Sequence, residues 1–176
     1  MFITGPVGVG KTHLAVAILK DWMKRNVAAR ITGGRWDAAK GKSVPNYWTD
    51  ALFVSVPDLF RELQESFGRR DGPRVLPKYI SVIGLVLDDI GSEAETDWRR
   101  ETLYNIISRR INDCKPTIVT SNLSLAQIDR WEPRIASRLA GLNVLELTGK
   151  DRRLMRNARR AALQKQRNEM QKGAVR

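Results

Sequence analysis

Apolar positions along the chain follow two rhythms that alternate. Short runs rich in β-branched and aromatic residues at 2–4, 52–55, 82–88, 117–120 and 143–147 predict five strands. Between them, residues 13–25 carry Leu14, Ala17 and Ile18 at helical spacing, and residues 98–111 carry Leu103, Ile106, Ile107 and Ile111 in the same way. Residues 58–67, following Pro57, and residues 135–139 predict two shorter helices. Strand, loop and helix recur in this order without an internal repeat, which predicts an α/β domain built on a mostly parallel sheet.

Residues 31–50 interrupt the rhythm. Gly33, Gly34, Gly41 and Pro45 punctuate a stretch with no periodicity, longer than a compact domain usually carries without a use for it. Arg35, Lys40 and Lys42 stand beside Trp36, Tyr47 and Trp48. Cations interleaved with aromatics suit phosphate pairing and base stacking on a single strand. The competing reading is a surface insertion whose aromatics pack back on the domain.

With 176 residues and 42% hydrophobic content, the chain is long enough for one domain with a real core. Its formal net charge of +12 surrounds it with a field that favours polyanions such as nucleic acid. A single cysteine, Cys114, excludes an internal disulfide. Neither a long apolar run nor a cleavable leader is visible, which predicts no membrane segment and a cytoplasmic location. The charge is concentrated at one end: residues 151–176 hold nine basic side chains against Asp151 and Glu169. This tail is either a solvated charge run or a DNA-contacting helix.

Chemistry enters at residues 5–12, GPVGVGKT, which fit the spacing G-x-x-x-x-G-K-S/T. Gly5, Gly8 and Gly10 let the backbone turn tightly and bring its N–H groups onto phosphate oxygens at a helix start. Lys11 would neutralise the β- and γ-phosphates of ATP, and the Thr12 hydroxyl would coordinate Mg²⁺. The whole stretch, Gly5, Pro6, Gly8, Val9, Gly10, Lys11, Thr12 and His13, is assigned to the nucleotide. His13, the only histidine, reads as packing or capping, because phosphoryl chemistry needs no imidazole.

A second stretch, LVLDDIG at 85–91, is a buried strand ending in Asp88 and Asp89, at the sheet edge where open α/β sheets hold ligands. Asp88 would hold Mg²⁺, and Asp89 would orient or deprotonate the attacking water. In TIVTSNLS at 117–124, the Asn122 amide is suited to bridge the γ-phosphate and that water, although Ser121 and Asn122 also suit a turn. In RIASRLAG at 134–141, Arg134 and Arg138 fall on one helical face, where an arginine could serve a neighbouring subunit's nucleotide.

These stretches, with the longer runs GPVGVGKTHLAVA and RIASRLAGLNVLELTGKDRRL, resemble the AAA+ ATPases, most closely the DnaC-type bacterial helicase loaders and the IstB-type transposition ATPases. The resemblance implies a five-stranded parallel sheet of order 5-1-4-3-2 flanked by helices. It puts Asn122 at sensor 1, Arg138 at the arginine finger and Arg152 or Arg153 at sensor 2. It also puts the helix over 57–67 where loaders touch single-stranded DNA. A replicative helicase is the implied partner, or a transposase if the chain is an IstB-type adaptor. A homo-oligomer with shared nucleotide sites is the implied assembly. Three departures stand out. Asp89 occupies the place of the usual glutamate, which predicts slow hydrolysis or a binding-driven switch. Only the basic tail stands where a helical lid would follow the fifth strand. The partner-gripping region and the segment that covers adenine would both precede residue 1, which predicts a truncated ATPase core over 1–150 and a basic tail over 151–176.

Overall fold

The computed structural model describes residues 1–30, 35–37, 42–44, 51–67, 75–91 and 96–173. Their order is β1 (Phe2–Thr4), α1 (Lys11–Arg30), β2 (Arg35–Asp37), β3 (Lys42–Val44), β4 (Ala51–Ser55), α2 (Val56–Ser66), α3 (Val75–Ser81), β5 (Gly84–Ile90), α4 (Asp97–Asn112), β6 (Thr117–Ser121), α5 (Leu125–Trp131), α6 (Pro133–Ala140), β7 (Val144–Glu146) and α7 (Arg152–Gly173).

Five strands form one sheet in the order β4-β5-β6-β1-β7, every neighbouring pair parallel. Counted along the chain within this sheet and read from the β7 edge, that is the expected 5-1-4-3-2. Parallel strands need crossover connections, and alternation along each strand supplies an apolar surface to both faces. Phe2, Leu85, Leu87 and Val119 point to one face, where they meet Leu59, Phe60, Leu103, Ile106, Ile107, Ile128 and Ile135 from α2, α4, α5 and α6. Ile3, Val86 and Ile118 point to the other, against Ala15, Leu19 and Trp22 of α1. Gly84 makes room there, since a Cβ on it would lie 3.0 Å from the Trp22 ring. Burying a side chain such as Ile106 or Ile107 contributes about 2 kcal/mol.

Helix starts follow local chemistry. The Ser55 hydroxyl accepts from the Asp58 N–H at 3.2 Å with Pro57 in the first turn, and Thr96 caps α4 through the Arg99 N–H at 3.3 Å. Ser124 and Gln127 form a reciprocal capping box on α5.

Among the described residues, Arg110 of α4 is the charged side chain buried most completely. Its guanidinium donates to the carbonyl oxygens of Tyr79, Ile80, Val82, Ile83 and Pro116 at 2.6–3.2 Å, and to the Thr117 hydroxyl at 3.0 Å. Burial pushes its pKa down to about 10, against a smaller upward pull from Asp113. It ties the end of α3 and the entry to β5 to the start of β6.

The structure departs from the sequence reading in three places. Residues 31–50, expected to lack regular structure, contain the antiparallel pair β2/β3 with Trp36 opposite Ser43. Gly33, Gly34, Lys40, Gly41, Pro45, Tyr47 and Trp48 lie outside the described residues. Strand β5 does not stop at Asp88 but continues to Ile90. Helices α3 and α5, seven residues each, were too short to show periodicity. The basic tail is a helix from Arg152 to Gly173. No helix among the described residues is long and apolar enough to cross a membrane.

Candidate nucleotide site

The loop joining β1 to α1 depends on glycine where the chain passes closest to its neighbours. A Cβ on Gly5 would lie 2.1 Å from the Leu147 carbonyl oxygen. Gly8 has φ 77°, and a Cβ there would lie 2.1 Å from the Asp151 carboxyl group. That carboxylate accepts from the N–H groups of Arg153 at 2.7 Å and Leu154 at 3.3 Å, capping α7, while the Arg152 N–H donates to the Gly8 carbonyl at 3.0 Å. The first turn of the basic helix is therefore fastened to the phosphate loop.

Lys11 opens α1 and is buried. Its ammonium donates to the carbonyls of Gly5 and Pro6, both at 2.8 Å, and to Asn122 Oδ1 at 2.7 Å. Desolvation lowers its pKa, and the carboxylates of Asp89 and Asp88 oppose that shift. Asn122 turns its other end outward: Nδ2 donates to Asp89 Oδ1 at 2.6 Å.

The two aspartates reach one site because of a bulge. Leu87 pairs with Val119 and Ile90 with Ser121, so Asp88 and Asp89 stand opposite Thr120 alone. Asp89 takes φ 66° there. On a regular strand consecutive side chains point to opposite faces. With the extra residue, Asp88 accepts from Thr12 Oγ1 at 3.0 Å and Thr120 Oγ1 at 2.7 Å, and Asp89 meets Asn122. Thr120 Oγ1 also accepts the Asp89 N–H at 2.9 Å, which fixes the bulge.

These groups surround a cavity of about 490 Å³ lined by Val7, Gly8, Gly10, Lys11, Thr12, His13, Asp88, Asp89, Thr120, Asn122, Arg152, Arg153 and Arg156. Of the residues singled out in the sequence, Gly5, Pro6 and Val9 shape the loop without lining the cavity, and Val9 is buried in the core. Arg138 is elsewhere, half-buried on α6, donating to Asn112 Oδ1 at 3.4 Å. Its neighbour Arg134 is held by Glu132 at 2.9 Å and Glu101 at 3.0 Å and lies 4.7 Å from the centre of the Tyr104 ring. Val7, Thr120 and Arg156 were missed. Arg156 follows Arg152 by four residues, a helical spacing that becomes a signal once the tail is known to be a helix.

No family model matches the chain. A solved crystal structure of DnaI superposes with a TM-score of 0.64 at 30% identity, covering 84% of this chain and 72% of that one. The chain belongs to the DnaC/DnaI family of AAA+ proteins. Among curated proteins, the replicative helicase loader DnaI of Bacillus subtilis is 27% identical over 125 residues, 70% of this chain. A protein of Mycobacterium tuberculosis named for ATP binding and encoded in an insertion sequence is 29% identical over 122 residues, 69% of this chain. The chain spans 33% of the length of the first and 40% of the second. The run GPVGVGKT at residues 5–12 has the spacing of a Walker A loop.

Proposed function

We propose that the chain is an ATP-binding and ATP-hydrolysing module of helicase-loader type that acts on single-stranded DNA with a replicative helicase as partner. The observation that carries this reading is the connected network of Thr12, Asp88 and Thr120 on one side and Lys11, Asn122 and Asp89 on the other. The cavity fits a triphosphate, because a buried ammonium, loop N–H groups at a helix start and three arginines converge on it. Thr12 and Asp88 offer a hydroxyl and a carboxylate 3.0 Å apart, a pair suited to a hard cation that completes its shell with phosphate oxygen and water. Mg²⁺ held there would neutralise phosphate charge.

The protein's own groups then divide the work. Lys11 binds and neutralises terminal phosphate oxygens. Asp89 accepts a hydrogen bond from the attacking water, and Asn122 keeps that carboxylate aimed. Arg138 serves the site of the next subunit in a head-to-tail assembly. Its placement outside its own cavity supports this role, and so does its attachment to neutral groups, the Asn112 amide at 3.4 Å and the Tyr104 hydroxyl, whereas Arg134 is committed to two carboxylates.

A second reading is a nucleotide-gated DNA adaptor with little turnover, a transposase helper. Asp89 favours it, being shorter than the glutamate usual at this place and already accepting from Asn122. Steady-state ATP hydrolysis measured against protein concentration, with and without single-stranded DNA, separates the two. A rate per subunit that climbs with both, and is abolished in Lys11→Ala and Arg138→Ala, supports the loader-type ATPase. A flat rate near zero with ATP binding retained supports the adaptor.

A further inference from the structure

Three consecutive side chains at the end of β6 and just past it reach across to the bulge of β5. The Ser121 hydroxyl donates to the Ile90 carbonyl at 2.8 Å, and Asn122 Nδ2 donates to Asp89 Oδ1 at 2.6 Å. Thr120 serves both aspartates with one oxygen and is only 1% exposed. Its Oγ1 accepts from the Asp89 N–H at 2.9 Å, and its single proton goes to Asp88 Oδ1 at 2.7 Å. The other oxygen of Asp88, Oδ2, is the one that meets Thr12 Oγ1 at 3.0 Å. One hydroxyl therefore settles which oxygen of Asp88 faces Thr12 and where the backbone stands as it enters the left-handed conformation of Asp89, φ 66°. A residue other than glycine stays in that region only where its surroundings over-determine it. Here the bond from its N–H to Thr120 and the bond from Asn122 to its carboxylate do so.

We propose that Thr120 is a positioning residue that acts through both aspartates: its hydroxyl aims Asp88 at the cation beside Thr12 and holds the bulge that brings Asp89 to Asn122. The inference rests on the nucleotide-site reading above. Thr120 lines the cavity, yet its proton and a lone pair are both spent on the aspartates, so its effect on a bound nucleotide passes through them. Lys11 and the loop N–H groups reach the phosphates without it. Loss of the hydroxyl should therefore leave phosphate binding in place and remove what the cation adds to it. It should also release the Asp89 N–H, with or without a ligand present. A hydroxyl that merely braces the sheet would behave differently, lowering stability and nucleotide affinity alike whether or not a cation is present.

The test uses the full chain with Thr120→Val, which keeps the shape of threonine and lacks the hydroxyl, and Thr120→Ser, which keeps the hydroxyl. A fluorescent, non-hydrolysable ATP analogue is titrated in Mg²⁺ and in EDTA, and exchange of the Asp89 amide hydrogen is followed by NMR in the nucleotide-free protein. In EDTA, Thr120→Val should bind the analogue within about 2-fold of the native protein. The strengthening of binding by Mg²⁺ should shrink by about 10-fold, as for a lost hydrogen bond to a charged group, and the Asp89 amide should exchange about 10-fold faster or more. Thr120→Ser should restore both to within about 3-fold of native. Should the valine variant not fold, Thr120→Ser and Thr120→Ala, which differ by the hydroxyl alone, carry the same comparison. A native response to Mg²⁺ in the valine variant overturns the aiming of Asp88, and native exchange at Asp89 overturns the hold on the bulge. Equal losses of affinity in Mg²⁺ and EDTA, with a lower Tm, assign Thr120 to the sheet alone and overturn the proposal. A native protein that binds no nucleotide, or binds it without response to Mg²⁺, refutes the nucleotide-site reading and the aiming of Asp88 with it, while amide exchange still decides the bulge.

Discussion

Replacing Arg110 by methionine isolates the worth of a buried cation held by carbonyls rather than by a paired carboxylate. The substitution keeps an unbranched apolar stem and removes every donor. The Pro116 carbonyl still accepts from the Leu85 N–H, and the Ile80 carbonyl still accepts from Lys115 Nζ at 3.0 Å. The Tyr79, Val82 and Ile83 carbonyls lose their guanidinium donor. Each stranded buried acceptor costs about 1–3 kcal/mol, and part of that is returned because a guanidinium no longer has to be stripped of water. The expected net loss is about 3 kcal/mol, the cost of three stranded acceptors less the returned desolvation. At 2–4 °C per kcal/mol in a domain of this size, that is a fall in Tm of about 10 °C. Urea and thermal unfolding followed by circular dichroism measure it, with Arg109→Met, on the exposed side of the same helix, as a control expected within about 0.5 kcal/mol of the native protein. A methionine variant as stable as the native protein would refute the reasoning, showing that the cost of burying the charge cancels all that the cage returns.

Two further outcomes follow from the site and its surroundings. Gly8→Ala places a methyl group in the space of the Asp151 carboxyl at a φ that alanine resists, so it should weaken ATP binding by about 10-fold or more while leaving the fold intact, as read by a fluorescent nucleotide titration and circular dichroism. The buried Glu132 carboxyl is held below its ordinary pKa, chiefly by the hydrogen bond from Arg134. Its stabilising contribution is present above the unfolded glutamate pKa and is lost as pH falls through the lowered folded value, so Glu132→Gln should show a shallower loss of stability below about pH 4 in urea titrations.

The legibility of the chain in its sequence followed the physics of each part. The loop between β1 and α1 could be read because its glycines and Lys11 sit at the fixed spacings of a Walker A pattern. The sheet could be read because Leu85, Val86 and Leu87 must satisfy two apolar faces at once. The bulge at Asp88 and Asp89 could not, since a bulge adds a residue without disturbing the run LVLDDI. Arg110 left a signal that went unused: it falls three and four residues after Ile107 and Ile106, on the stripe that faces the core. Arg156 was hidden because its role depends on where α7 starts, and that start is set by contacts of Asp151 and Arg152 with Gly8, distant in sequence. Arg138 was singled out by its place on one helical face with Arg134 and by resemblance to a family motif, and neither signal rests on contacts within this chain.

The Asn122 side chain has a consequence for how the site is wired. Its oxygen faces a cation and its nitrogen faces an anion, so the amide cannot be turned over without setting donor against donor and acceptor against acceptor. The link from Lys11 to Asp89 thus has a fixed polarity, and it passes through one neutral group with a single orientation. Any ligand that draws the ammonium away from Asn122 frees an acceptor at one end and loosens a carboxylate at the other. The arrival of charge at the loop is in this way reported to the aspartate across a single side chain.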